Sequence, residues 1–316
     1  MPTIGQVWRG WRDVLARLGF DSAALDAKLL AGHALGLGAL ELALRENEAV
    51  SPAAAERIAQ LLQRRMRGES VARIIGEREF FGLAFTLNAA TLEPRPETEL
   101  LVEMALAALP QAGRLLDLGT GTGCIPISVL ANQPDALAVA VDLSAEALVA
   151  ARENAERHGV GERLVLRQGD WFGALAPLPS PPHEGEGVAS GIWPNIAPGT
   201  SPHLPPGGGG WEGGLFDVIV SNPPYIASDV VETLAAEVKD FDPALALDGG
   251  PDGLAPYRVI ASQAGGWLRP GGHVLVEIGY DQGARASALF LEAGYEDVSV
   301  HKDLNGLDRV VWARHI

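Results

Sequence analysis

Between residues 114 and 278 strand-like and helix-like apolar patterns take turns, and that alternation excludes most folds open to a chain of 316 residues. Residues 114–118, 138–141, 164–168, 216–220 and 273–278 are short runs rich in Val, Ile, Leu and Ala. They lack the regular polar alternation of a half-exposed strand and predict strands buried on both faces. Residues 125–131, 145–158 and 254–268 repeat apolar positions at helical spacing. Together these patterns predict an α/β fold, a doubly wound and mostly parallel sheet flanked by helices. Residues 298–301 and 309–313, parted by Asp303-Leu304-Asn305-Gly306, predict a closing antiparallel pair that brings the sheet to seven strands.

Upstream, residues 3 to about 68 read as helix throughout, and a small helical bundle is expected over 1–73. Ser22 stands ready to cap a helix carrying Ala24, Leu25, Leu29 and Leu30. Ser51-Pro52 places a cap and a first-turn proline before Ile58, Leu61, Leu62 and Met66, and Gly68 supplies a stop. Arg64, Arg65 and Arg67 read as a solvated helix face. Over 74–90 the apolar pairs Ile74-Ile75 and Phe80-Phe81, with Gly82 and Phe85, predict a β-hairpin linking the bundle to a second domain, 91–316. Arg95-Pro96-Glu97-Thr98-Glu99 reads as a helix start with its acids in the first turn. Residues 177–214 hold 9 prolines and 10 glycines, a composition that cannot offset the entropy of ordering, so a disordered surface insertion is expected there.

Charge and cysteine content narrow the function. Residues 1–80 carry 11 Lys/Arg against 10 Asp/Glu, which leaves 13 against 30 for the remainder, a net of −17. A domain of that sign repels phosphate backbones, so direct nucleic-acid binding is not expected. The single cysteine, Cys124, can form neither an internal disulfide nor a thiolate metal cluster, which fits a reducing cytoplasm, and no metal is expected. No apolar run approaches membrane-spanning length, and arginines interrupt the first helix where a secretory signal would be apolar. A cytoplasmic monomer is the expectation.

Two constellations carry chemistry. Gly119-Thr120-Gly121-Thr122-Gly123 ends the first sheet strand and opens a helix, and alternate glycines let backbone approach a ligand closely. Cys124 stands where a dinucleotide fingerprint calls for Gly or Ala. Asp142 ends the second strand 23 residues after Gly119, placed to accept both hydroxyls of a ribose, so an adenosine-containing cofactor is expected. Val218-Ile219-Val220-Ser221 then stops on Asn222-Pro223-Pro224-Tyr225. Two prolines stiffen the backbone and remove donors, leaving the Asn222 side-chain oxygen and the Pro223 carbonyl as a rigid pair of acceptors for a planar NH2, with Tyr225 to stack on it. A strand followed by a Pro-Pro turn needs no chemistry by itself. Beside a cofactor loop, however, a double acceptor suits transfer to nitrogen better than hydride transfer.

Gly119 to Gly123, Asp142, Gly169-Asp170-Trp171-Phe172 and Ser221-Asn-Pro-Pro-Tyr-Ile226 resemble the class I S-adenosylmethionine-dependent methyltransferases that act on planar nitrogens. Arg95-Pro-Glu-Thr-Glu99, Gly76-Glu-Arg-Glu-Phe-Phe-Gly82 and Asp303-Leu-Asn-Gly306 resemble, within them, the peptide chain release factor N5-glutamine methyltransferases (HemK/PrmC type). The resemblance covers nearly the whole chain apart from 177–214. Glu93 departs from it, since the family usually carries an apolar residue before Pro94. The resemblance implies a Rossmann-like sheet, S-adenosyl-L-methionine as cofactor, and methylation of the glutamine side-chain nitrogen in a Gly-Gly-Gln loop of release factors, with the helical bundle recognising the substrate. It implies Gly119, Thr120, Gly121, Thr122 and Gly123 around the methionine end, Asp142 on the ribose, Trp171 beside the adenine, and Asn222, Pro223, Pro224 and Tyr225 at the reacting amide. The rival reading is an amino-methyltransferase of nucleic acid, on N6 of adenine or N2 of guanine. The same chemistry serves both, and the net negative charge speaks against it.

Overall fold

The computed structural model describes residues 1–175 and 215–316, and the insertion expected at 177–214 lies outside them. Five helices come first: α1 (Ile4–Arg17), α2 (Ala23–Leu35), α3 (Ala39–Leu44), α4 (Pro52–Met66) and α5 (Val71–Ile75). Thr3 and Gln6 exchange hydrogen bonds in a capping box at the head of α1, and Ser51 caps α4 with Pro52 in its first turn. Ser22 makes no side-chain cap bond. On α2 the buried positions are Ala23, Ala27, Leu30 and Ala31, whereas Leu25 and Leu29 are exposed. Small residues on that face let α2 pack against α1 and α4.

The solvated arginine face fails at Arg65, which is buried. Its Nε donates to Asp26 of α2 at 2.7 Å and its Nη1 to Glu237 at 3.1 Å. A burial of that kind depends on partners far along the chain, which a helical repeat does not reveal. Glu93, the family departure, is buried as well. The Ser70 hydroxyl donates to it at 2.7 Å and Arg78 lies 3.4 Å away, so a polar pair replaces apolar packing.

The hairpin forms as β1 (Glu77–Phe80) and β2 (Leu83–Thr86), antiparallel, with Phe80 and Phe85 buried. Two of its fastenings bear on the site. The Phe81 amide donates to Glu99, the first residue of α6 (Glu99–Ala108), and Asn154 accepts from the Thr86 amide and donates to the carbonyls of Thr86 and Thr122. The second fastening therefore ties the hairpin to the loop after the first strand of the main sheet.

That sheet alternates with helices as the pattern predicts: β3 (Arg114–Leu118), α7 (Cys124–Asn132), β4 (Leu137–Asp142), α8 (Ala145–Arg157), β5 (Leu164–Gln168), β6 (Phe216–Ser221), the short α9 (Ser228–Val231) and α10 (Ala236–Lys239), α11 (Ala255–Gln263), β7 (Leu268–Glu277), α12 (Gly283–Glu292), β8 (Glu296–Lys302) and β9 (Asp308–Arg314). The helix predicted over 254–268 stops at Gln263, since Gly265-Gly266 lies in a tighter 3-10 turn. The strand predicted from 273 begins at Leu268 instead.

Strand order is β5-β4-β3-β6-β7-β9-β8, parallel from β5 through β7 and antiparallel at β7/β9 and β9/β8. Side chains alternate between two cores. Leu115, Ala138, Ala140, Val218, Val220 and Leu275 share one with residues of α6 and α7, and Leu116, Val139, Ile219, Val274 and Val276 share the other with residues of α11 and α12. The N-terminal helices enclose a third, around Trp8, Leu30, Ile58 and Leu62. Among the described residues no helix is long and apolar enough to cross a membrane. The order of the parallel strands reverses between β3 and β6, and open sheets of this type bind ligands in the crevice at the carboxyl ends of the strands there.

Candidate active site

Both motifs singled out in the sequence meet at that reversal. Leu118 pairs with Ser221 across β3 and β6, so Gly119 and Asn222 follow side by side on neighbouring strand ends. Leu118 also pairs with Val141 across β4, which puts Asp142 on the other side of Gly119. The Ser221 hydroxyl donates to the Leu118 carbonyl at 2.7 Å and reinforces the junction. A cavity of about 500 Å³ opens over these strand ends, within the range of sites that take cofactors. Gly119, Thr120, Gly121, Thr122, Asp142, Trp171, Asn222 and Pro224 line it.

The glycine loop fits a bound group of that size. Gly119 and Gly121 have φ of +76° and +54°, and a Cβ on either would meet no protein atom within 4 Å. Their conformation favours glycine, and the space beside them lies open to a ligand. Gly123 serves packing instead, because a Cβ there would press on Ile127 and Ala151. Asp142 accepts from the Gly121 amide at 2.7 Å and the Ser144 amide at 2.9 Å, one on each oxygen. Burial raises its pKa, and the backbone donors of Ser144, Gly121 and Leu143 oppose the rise. Held in this way, each oxygen keeps a lone pair for a hydroxyl donor. Beneath the loop, burial pushes the Asp117 carboxyl up to about 7, with the neighbouring Thr120 hydroxyl opposing the rise and Asp142 adding to it. Trp171 holds φ at +45°, a strained setting for a large residue, where it lines the cavity and packs against the second core.

At the acceptor motif, the Asn222 Nδ2 donates to the Thr98 hydroxyl at 3.2 Å, and no described residue donates to its Oδ1 or to the Pro223 carbonyl. Pro223 is buried behind the wall. Tyr225 packs against the second core, outside the lining residues, and burial pushes its hydroxyl up to about 12. Gln282 donates to the Tyr225 carbonyl at 2.9 Å and accepts from the Gly279 amide, which clamps the motif from below. Gly253 presses so closely on the Tyr225 carbonyl that a Cβ there has no room.

Several pocket residues escaped the sequence reading. Thr98 and Arg95 reach the cavity from the helix start, and Pro243, Leu245, Ala246 and Asp248 form a wall supplied by residues 243–248. The signal for that wall was the cluster Asp248-Gly249-Gly250-Pro251-Asp252-Gly253, a run of turn formers in an otherwise helical stretch. Arg73 and Arg95 both donate to Asp242, at 2.5 and 2.9 Å, and anchor the wall to α5 and to the helix start.

Replacing Asp142 by Ala removes two loop hydrogen bonds and both carboxylate oxygens expected to accept from a ribose. Cofactor affinity should fall by about 1.5–3 kcal/mol for each charge-assisted bond lost, less any compensation by water. Calorimetric titration giving wild-type affinity would take Asp142 out of the binding site.

Comparison with known proteins points the same way. Two family descriptions match, the PrmC N-terminal domain over residues 6–76 and the Methyltransferase small domain over residues 96–211. A release factor glutamine methyltransferase of Cereibacter sphaeroides is 43% identical over 300 residues, spanning 95% of this chain and 94% of its own. Those of Agrobacterium fabrum and Caulobacter vibrioides are each 39% identical, over 309 and 314 residues, spanning 96% and 98% of this chain and 94% and 95% of theirs.

Proposed function

The chain belongs to the release factor glutamine methyltransferases, and from that premise we propose how its residues carry the reaction. It is an S-adenosylmethionine-dependent protein-(glutamine-N5) methyltransferase whose substrates are peptide chain release factors. S-adenosylmethionine, when bound, supplies a methyl group on a sulfonium, an electrophile with a neutral thioether as leaving group. Gly119, Thr120, Gly121 and Thr122 line its methionine end, Asp142 takes the ribose hydroxyls and Trp171 flanks the adenine. Gly123 keeps α7 close enough to hold that loop.

A glutamine side-chain nitrogen is a weak nucleophile because its lone pair is shared with the carbonyl. The Asn222 Oδ1 and the Pro223 carbonyl each accept one of its hydrogens, which fixes the nitrogen in position and increases its electron density. Pro224 keeps the two acceptors rigid. To Tyr225, whose carbonyl Gln282 clamps, we assign packing on the amide plane, which requires its ring to turn from the second core. The nitrogen gains the methyl and releases one proton to solvent, so no side chain need act as a base before attack. Flanking glycines, as in a Gly-Gly-Gln loop, let the side chain enter a narrow cavity. The N-terminal helices, near neutral where the rest is strongly acidic, are the part we assign to docking the factor, in the cytoplasm.

One observation carries this reading: the pairing of Leu118 with Ser221, which sets the glycine loop and the double acceptor on adjacent strand ends. Incubation with methyl-labelled S-adenosylmethionine, with a release factor in one arm and DNA or RNA in the other, tests it. Label is expected on a glutamine side-chain nitrogen of the factor, located by mass spectrometry of its digest. Label in the nucleic acid, or none in the factor, overturns the assignment.

A further inference from the structure

Beside Asn222, on the side away from the glycine loop, stands a buried carboxylate that the proposed reaction does not use. Ser221 pairs with Val276 across β6 and β7, so Asn222 and Glu277 occupy the next rung. Glu277 is 1% exposed, its Oε2 makes no hydrogen bond, and no ion pair reaches it among the described residues. A buried carboxylate without an ion-pair partner is costly, so its persistence calls for a reason.

We infer that Glu277, acting with Thr98, is a positioning residue that holds the Asn222 amide with Nδ2 turned inward and Oδ1 turned toward the cavity. The inference rests on the proposed reaction and adds what sets the direction of its acceptor. An amide has two ends of nearly equal shape, and only one of them accepts hydrogens from a glutamine NH2. The Asn222 Nδ2 donates to the Thr98 hydroxyl. That hydroxyl has a single proton, and with one lone pair occupied it directs the proton to another acceptor. Thr98 and Asn222 lie close enough to the Glu277 carboxylate to oppose the effect of its burial. An ionised carboxylate only accepts, so it draws both donors inward, the Thr98 hydroxyl and the Asn222 Nδ2. Turned over, the amide would set its oxygen against a negative charge. Glu277 is absent from the cavity lining, whereas Thr98 and Asn222 belong to it, so the carboxylate acts through them and not on substrate.

Protonation would undo the arrangement, because a carboxylic acid can donate to Thr98 and allow the chain to reverse. Burial pushes Glu277 up to about 7, with Thr98, Arg309 and Asn222 opposing and Glu97 adding to the rise. Glu97 beside Thr98, Arg309 on β9, Tyr225, Tyr257 on α11 and Cys124 on α7 are the titratable groups that face it. Since the ionised form is the one that orients Asn222, turnover should fall as pH drops through about 7.

The test measures methyl transfer to a release factor at saturating S-adenosylmethionine across that pH range, with equilibrium binding of the cofactor and circular dichroism alongside. Glu277→Gln offers Thr98 a donor as readily as an acceptor. It should lower kcat about tenfold at pH 8 and abolish the acid limb, with cofactor Kd within about twofold of wild type, since a small misorientation at the reacting centre is expensive. Thr98→Val should lower kcat similarly, and the double variant no further than either alone. A folded Glu277→Gln with wild-type kcat and an unchanged acid limb overturns the inference. Should that variant fail to fold, Thr98→Val decides by the same criterion. No transfer by the wild-type protein overturns the functional reading and this inference with it, whereas an active wild type with unaffected variants overturns the inference alone.

Discussion

Asn222→Ala should reduce turnover with a release factor by about 10² or more while cofactor affinity changes far less. The substitution removes one of two acceptors for the reacting NH2, and misplacement of a reacting nitrogen by even an ångström is worth about that factor. The cofactor keeps the glycine loop and Asp142, which lie on β3 and β4. The fold should survive, because Asn222 is only partly buried and its side chain meets polar neighbours at the site, Thr98 foremost, with no role in the apolar cores. Methyl transfer, binding of S-adenosylmethionine and circular dichroism are measured on the same preparation. A folded variant that methylates at a near-normal rate would falsify the double-acceptor mechanism and direct attention to Tyr225 and Glu97.

The second large effect is on stability. Asp242→Ala should cost about 3–5 kcal/mol, the usual penalty for leaving one member of a buried ion pair alone. Asp242 is 3% exposed at its side chain and takes two arginines. Arg95 is 41% exposed and can turn to water, but Arg73 is 8% exposed and cannot. Arg73 would keep the carbonyls of Asn88 and Thr91 as neutral partners, which places the cost toward the lower end. Urea denaturation reads the loss. Cofactor affinity should fall with it, because Pro243, Leu245 and Ala246 of the cavity wall follow directly on Asp242. Exchanging Arg73 for Met as well should recover part of the stability, since it removes the stranded charge. A loss below about 1 kcal/mol in the single variant would show that water already reaches the pair.

Patterns that depend on neighbours in sequence were legible. The apolar runs announced each strand of the main sheet, and the glycines and Asn222-Pro-Pro-Tyr announced what stands at two strand ends. Residues whose role depends on topology were not. Arg65 has the spacing of a solvated face and is buried only because Asp26 and Glu237 converge on it. Asp242 sits among other acids, and nothing nearby marks it as the anchor of a cavity wall. Glu277 left a trace, since an acid ending an apolar strand resembles Asp142 ending another, but its nearness to Asn222 follows from strand order. The position of Trp171 in the cavity wall rested on family resemblance, because an aromatic after Gly169-Asp170 is as common in a core.

The reversal of strand order also fixes when the active site comes into being. β6 lies between β3 and β7, yet it is synthesised 103 residues after β3 ends, counting from Leu118 to Ser221. At about 5–20 residues per second, a ribosome takes roughly 5–20 s to cover that distance. Once β4 is made, and until β6 follows, Leu115 to Leu118, apolar and destined for the centre of the sheet, have β4 on one edge and no native neighbour on the other. An unpaired central strand invites pairing with the wrong partner. The nascent chain therefore passes through a stage in which its cofactor loop is complete and its acceptor does not yet exist.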